Sequence, residues 1–138
     1  MSTDPARLSV DTIHGYLAGS YWAAGISRAI VERSLRYSLN FGVYRGDELV
    51  GFARVVTDLA TFGYVGDVFV IEAYRGRGLS KWLMECIVDH PDLKDLRRWH
   101  LVTRDAHGLY SKFGFAEPPA GKHMERVRKN PYSVPPPG

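Results

Sequence analysis

Residues 68–90 read VFVIEAYRGRGLSKWLMECIVDH. An unbroken apolar run meets a loop in which two glycines alternate with arginines. Beyond the loop the apolar positions take helical spacing, with Leu79, Leu83, Cys86 and Ile87 on one face of a helix over Leu79–His90. A strand that hands over to a helix in this way commits the chain to a sheet with a helix packed on its face. It also leaves the first amides of that helix unpartnered, at the positive end of its dipole. Such a junction binds anions, and phosphate above all. Gly76 and Gly78 let a ligand approach the backbone closely, while Arg75, Arg77 and Lys81 add full charges. The spacing is not that of a P-loop. A dinucleotide fingerprint would need a third glycine where Lys81 stands, and would open the fold rather than follow some 70 residues.

The rest of the chain supplies the partners for this unit. Ser9 or Asp11 caps a predicted helix running to about Ser20, with Ile13, Tyr16 and Leu17 on one face. A second helix fits Ile26–Ser38, with Ile30, Val31 and Leu35 as its stripe. LNFGVY and ELVGFARVVT read as a hairpin turning at Gly46, and FGYVGDVFVI as a strand covered on both faces. RWHLVTR predicts another strand. Ala106, Leu109, Tyr110 and Phe113 share a helix face, and Gly114 stops that helix. GFAE and HMERVR are expected as short final strands. The predicted order is ααβββαβαββ, a mixed α/β (α+β) sheet.

At 138 residues the chain is one domain, expected over residues 1–130, with a loose Pro-rich tail over 131–138. Its apolar content of 45% and charged content of 24% are those of an ordinary globule. No apolar run approaches the roughly 20 residues that span a bilayer, and no signal-like stretch begins the chain, so no membrane partner and a cytoplasmic location are expected. The single cysteine, Cys86, suits a reducing compartment and is expected to be buried and inert. The net charge of +3 suits an anionic small ligand as well as nucleic acid, and by itself decides neither. The basic residues are scattered, without the arginine–aromatic stripe of a nucleic-acid groove, so no nucleic-acid partner is expected. Five histidines and one cysteine show no metal-ligand spacing, so no metal is expected.

VFVIEAYRGRGLSKWLMECI followed by HLVTRDAHGLYSKFGF resembles the GNAT superfamily of acetyl-CoA-dependent N-acetyltransferases, in its short single-domain bacterial form. The likeness is clear over Phe41–Phe115. It implies a central, mostly antiparallel sheet flanked by helices, with acetyl-CoA as cosubstrate. It implies that Val68, Phe69 and Val70 pair with the pantetheine amides, and that Gly76, Arg77, Gly78, Leu79 and Ser80, following Arg75, hold the pyrophosphate. Asp105 stands where the family often has a cofactor-touching asparagine, and Tyr110 where its general acid often sits. Ser80 replaces the family's preferred glycine or alanine.

Acetyl transfer to an amine needs a neutral nitrogen, a donor for the developing oxyanion and a proton for the leaving thiolate. A phenol near pKa 10 keeps that proton at neutral pH, which makes Tyr110 the candidate acid. A packed core tyrosine is the alternative reading, and both can hold together. Asp67, a carboxylate inside an apolar strand, is either a base, an anchor for a substrate ammonium, or a structural partner of Arg54 or Arg104. Tyr21, Trp22, Asp58 and Tyr64, with Thr57 and Phe62, are the candidate acceptor wall, suited to a cationic, partly apolar amine; the alternatives are a polar turn for Thr57 and Asp58 and helix packing for Tyr21 and Trp22. His14 and His107 are candidates for proton relay. The reading is therefore an N-acetyltransferase on a small primary amine. Its rivals are a non-catalytic acyl-CoA-binding regulatory module and an enzyme acting on a peptide or protein amine. A homodimer is the expected form of any self-assembly.

Overall fold

The computed structural model of the chain describes residues 1–129, 131 and 132. Helix α1 (Val10–Ala18) begins where Ser9 Oγ accepts the Thr12 amide, and α2 (Arg28–Arg36) begins in the same way at Ser27. Each cap satisfies one free helix-end donor, so Ser9 rather than Asp11 sets the first boundary. Helix α2 is shorter than its apolar pattern suggests. Val31 and Leu35 are buried, whereas Ile30 is exposed.

Strands β1 (Leu39–Arg45) and β2 (Glu48–Thr57) form the hairpin around Gly46, and β3 (Phe62–Val70) returns antiparallel beside β2. Helix α3 (Leu79–Val88) crosses to β4 (Arg98–Leu101), which lies parallel to β3. Helix α4 (His107–Ser111) closes the series. The sheet order is β1-β2-β3-β4.

Each face of the sheet carries its own core. On one side Ile13, Leu17, Val31 and Leu35 of the first two helices meet Leu49, Phe52 and Phe69. On the other, Leu83, Met84 and Ile87 of α3 meet Phe41, Val43, Ala53, Val55 and Val65. The architecture is the mixed α/β arrangement expected, with a mostly antiparallel sheet between helical layers.

Four expectations need correction. Neither GFAE nor HMERVR forms a strand. GFAE runs into Pro118 and Pro119, which have no amide hydrogen for a ladder. Met124 and Val127 stand three apart, so a strand would send them to opposite faces, and both are exposed. Cys86 is half-buried, because Met84 takes the inward position beside Leu83 and Ile87. Helix α4 covers only His107–Ser111 of the apolar pattern spanning 106–113. The tail was expected to be loose from 131, yet Tyr132 packs against the α1–α2 core. Residues 133–138 lie outside the described residues. Among the described residues, no helix is long and apolar enough to cross a membrane.

Candidate active site

The site begins where two parallel strands part. β3 and β4 pair only from Phe62 with Arg98 to Val65 with Leu101. β3 continues to Val70, paired on its β2 side alone, where Val70 meets Gly51. The stretch from Gly66 to Val70 thus has a free edge, open to an extended ligand carrying amides of its own. A bulge accompanies the parting. Asp67 and Val68 together face the single Ala53, and Asp67 adopts φ 53°, in the left-handed region. A bulge of this kind bends the strand and strengthens its twist, which turns β3 away from β4. Phe69 and Val70 are buried, and Phe69 stacks on Tyr16 with ring centroids 4.1 Å apart.

The far end of this free edge leads into the glycine loop. A single 3-10 turn, Glu72–Tyr74, brings the chain to Arg75. Gly76 and Gly78 have φ of 78° and 74°, and Gly78 stands at the N-cap of α3. No side chain caps α3, so its leading amides, at Leu79, Ser80 and Lys81, lack the usual capping acceptor. A β-carbon added at either glycine would meet no atom within 4 Å, so open space lies over the turn. A cavity of about 240 Å³ is lined by Val70, Arg75, Gly76, Gly78, Ser80 and Leu109, among others. These features suit a diphosphate. Arg75 itself is occupied elsewhere. Its Nε–H donates to the Val70 carbonyl at 3.1 Å and its terminal N–H to Tyr16 Oη at 2.8 Å. It clamps the loop to the strand end and to α1, leaving Arg77 and Lys81 as the cations nearest the turn in sequence.

Tyr110, on α4, is buried. Burial pushes its phenol above the ordinary value of 10.0, and the nearby Tyr21 and Asp105 push it further in the same direction. Its hydroxyl therefore keeps its proton across the neutral range. A cavity of about 800 Å³ has Tyr110 in its wall, with Trp99, His100, Thr103 and His107. The glycine loop does not line this larger cavity, and Leu109, one residue from Tyr110, lines the smaller one.

Asp67 is the hub of the opposite wall. Arg54 Nε–H donates to Asp67 Oδ2 at 2.8 Å, and the Trp22 indole N–H donates to Asp67 Oδ1 at 3.0 Å. Arg54 also donates to Ser38 Oγ at 3.1 Å. Both carboxylate oxygens are engaged, and the charge is balanced by Arg54, as one of the sequence alternatives held. Trp22 in turn packs edge-on against Tyr21, with centroids 5.1 Å apart.

Asp58 has a different task. Oδ1 accepts the amides of Ala60 and Thr61 at 2.9 and 2.7 Å, and Oδ2 accepts the Thr61 hydroxyl. The Thr61 hydroxyl and these backbone donors hold its carboxyl well below the usual range. It folds the β2–β3 turn. Thr57 Oγ1 braces the same turn by donating to the Phe62 carbonyl. Tyr64 is half-buried and stacks on His100, which stacks on His123. Burial and the Asp67 charge raise its phenol above the ordinary value. His14 Nε2 lies 2.9 Å from the Ile26 carbonyl, tying α1 to the chain before α2. His107, Asp105 and Arg104 are exposed. The part Tyr16 plays in holding Arg75 is not visible in the sequence, where it counts only as one more residue of an apolar stripe.

A family model described as an acetyltransferase (GNAT) domain matches residues 36–117. A Gibberella zeae protein named for an inferred acetyltransferase activity is 32% identical over 133 residues, covering 81% of this chain and 75% of its own. A Xanthomonas campestris crystal structure, described as that of an inferred acetyltransferase of the GNAT family, is 47% identical. It superposes with a TM-score of 0.92 over 96% of this chain and 95% of its own. A Clostridium acetobutylicum structure described as a predicted acetyltransferase with acetyl-CoA shares the fold alone, at 13% identity and a TM-score of 0.66, over 90% and 92% of the two chains.

Proposed function

The chain belongs to the GNAT family of acetyltransferases, and from that premise we propose that it transfers the acetyl group of acetyl-CoA to a primary amine of a small molecule, both substrates being bound together. The observation that carries the reading is the parting of β3 from β4, with an uncapped glycine turn at one end and Leu109, the neighbour of Tyr110, in the wall of the cavity over that turn.

Acetyl-CoA supplies an activated thioester. The free edge at Val68–Val70 and the amides from Gly76 to Ser80 are the groups that would hold it, which accords with the acetyl-CoA in the Clostridium relative. Glycine at 76 and 78 permits the backbone conformation that turns these amides outward. Arg75 acts from behind, fixing the loop through Val70 and Tyr16.

Tyr110 holds its proton at Oη, ready to donate it to a leaving thiolate. The raised pKa keeps the donor loaded. In this reading an amide at the free edge of β3 stabilises negative charge on the carbonyl oxygen. Asp67 is a positioning residue, since Arg54 and Trp22 occupy both of its oxygens. The acceptor nitrogen loses its proton to water or to solvent-exposed His107.

Replacing Tyr110 by Phe tests this reading. Heat of acetyl-CoA binding should persist while thiol release in the presence of amines falls about 10²–10⁴-fold, the span of general acid–base catalysis. Unchanged turnover would remove Tyr110 from the mechanism. No heat of binding to the wild-type chain would remove acetyl-CoA, and binding without turnover on any amine would favour the regulatory module.

A further inference from the structure

Arg104 lies in the loop between β4 and α4, six residues before Tyr110. Its guanidinium carbon sits 3.9 Å from the centroid of the Tyr21 ring, which comes from the α1–α2 connection. That contact joins the chain after β4 to the Asp67 wall of β3, across the parted strands. Tyr21 is itself held by Trp22, Trp22 by Asp67, and Asp67 by Arg54, which reaches Ser38. A series of fixed contacts therefore runs from the β3 bulge to Arg104.

A stacked guanidinium uses its face and leaves its edge free. The edge carries the N–H fork that matches a carboxylate in two parallel hydrogen bonds. Among the described residues, the ion pairs are Arg28 with Asp11, Arg28 with Glu32, and Arg54 with Asp67, and none includes Arg104. Asp105 is adjacent in sequence yet does not close on it. Arg45 and Arg77 also lie over a ring, that of Tyr74, at the looser distances of 5.9 and 5.4 Å. Arg7 stacks on Tyr44 at 4.0 Å and donates to the Gly46 carbonyl, at the hairpin turn rather than beside Tyr110. Tyr21 is more than half exposed, so the stacked pair is open to an incoming molecule.

Two anionic groups of the expected acceptor wall are meanwhile engaged. Arg54 balances Asp67, and Asp58 is folded into its turn. Asp105, next to Arg104, and Glu117 and Glu125 in the wall of the larger cavity form no ion pair among the described residues, so a free positive fork and free carboxylates together suit an acceptor that carries a carboxylate as well as an amine. We propose that Arg104, stacked on Tyr21, is the specificity residue of the acceptor site and binds a carboxylate carried by the acceptor amine, so that the substrate class is amino acids or other amino-carboxylates. This rests on the transferase reading and replaces the expectation of a purely cationic amine.

The test uses matched acceptors, phenylalanine with phenethylamine and β-alanine with ethylamine, with thiol release as the readout. The wild-type chain should favour the carboxylated member of each pair by at least about tenfold in kcat/KM, the scale of one good charged contact. Arg104→Gln should abolish that ratio through the KM of the carboxylated acceptor, Arg104→Lys should restore part of it, and the KM for acetyl-CoA should not move. Equal use of both members by the wild type, or a change confined to the acetyl-CoA KM, would overturn the proposal. A second arm is independent of turnover. Titration with N-acetylphenylalanine and with N-acetylphenethylamine should show binding of the carboxylated probe alone, lost in Arg104→Gln. If no amine is acetylated but this difference stands, the transferase reading fails and the anion site survives; if the two probes bind alike, the anion site fails.

Discussion

Asp67 shows how a residue type can be legible while its role is not. A carboxylate within YVGDVFV must be paired, because an unpaired buried charge is too costly to keep. Its partner follows from the bulge: with φ 53°, Asp67 turns its side chain to Arg54 and Trp22 together. The pair is largely shielded from water, so removing one half exposes the cost of the other. Arg54→Met should destabilise the fold by about 1–3 kcal/mol in urea unfolding, and adding Asp67→Asn should recover part of that loss. In kinetics, Asp67→Asn should lower kcat/KM evenly across pH, because a positioning residue leaves the shape of the profile unchanged. The disappearance of its acidic limb would restore Asp67 as a base. Tyr110, by contrast, was legible as a core tyrosine, for its ring is buried; its part as proton donor rests on the Tyr110→Phe comparison.

At the scale of elements, the glycine loop and α3 form one device. After the 3-10 turn that follows the strand, the loop's two left-handed glycines start the helix without a capping side chain. A β-branched residue is strained in that conformation, at about 1–3 kcal/mol. Gly78→Val should therefore raise the acetyl-CoA KM at least about tenfold while circular dichroism shows the fold retained. Gly15 offers the contrast. It sits inside α1 in ordinary helical geometry with nothing within 4 Å of an added β-carbon. Gly15→Ala should stabilise the chain by about 0.5–1 kcal/mol, read as a rise in Tm, without changing turnover. The strand–loop–helix unit was plain from spacing because its helical period and its turn residues are local. The absent strands over GFAE and HMERVR were misjudged for the converse reason. Short apolar stretches become strands only when a neighbouring edge and a single buried face await them, and Met124 and Val127 find neither.

For the molecule as a whole, the sheet between two helical layers buries several phenols, and this sets an alkaline limit. Burial raises Tyr44, Tyr64 and Tyr110 above the ordinary value of 10.0. Above pH 10 the unfolded chain loses these protons first, so the native state binds more of them and stability falls as pH rises. Below that window the contribution is fully present. Tm should hold through the neutral range and fall once pH passes 10. Tyr44 adds a second effect, because its buried hydroxyl has no hydrogen-bond partner among the described residues. Tyr44→Phe should soften the alkaline fall and leave neutral stability unchanged or higher by up to about 1 kcal/mol, measured by calorimetry at pH 7 and at pH 10.5.

Local rules governed what residue order alone could determine: the hairpin around Gly46, the helical stripe after the glycine loop, and the alternation of layers that makes a mixed α/β domain. These depend on neighbours within a few positions, where backbone geometry and apolar periodicity act directly. The tertiary structure alone decided where β3 leaves β4, which arginine neutralises Asp67, that Arg75 turns back to the strand, and that Arg104 stacks on Tyr21. Each joins segments far apart in the chain, and such meetings follow from twist, bulge and packing rather than from any local spacing of residues.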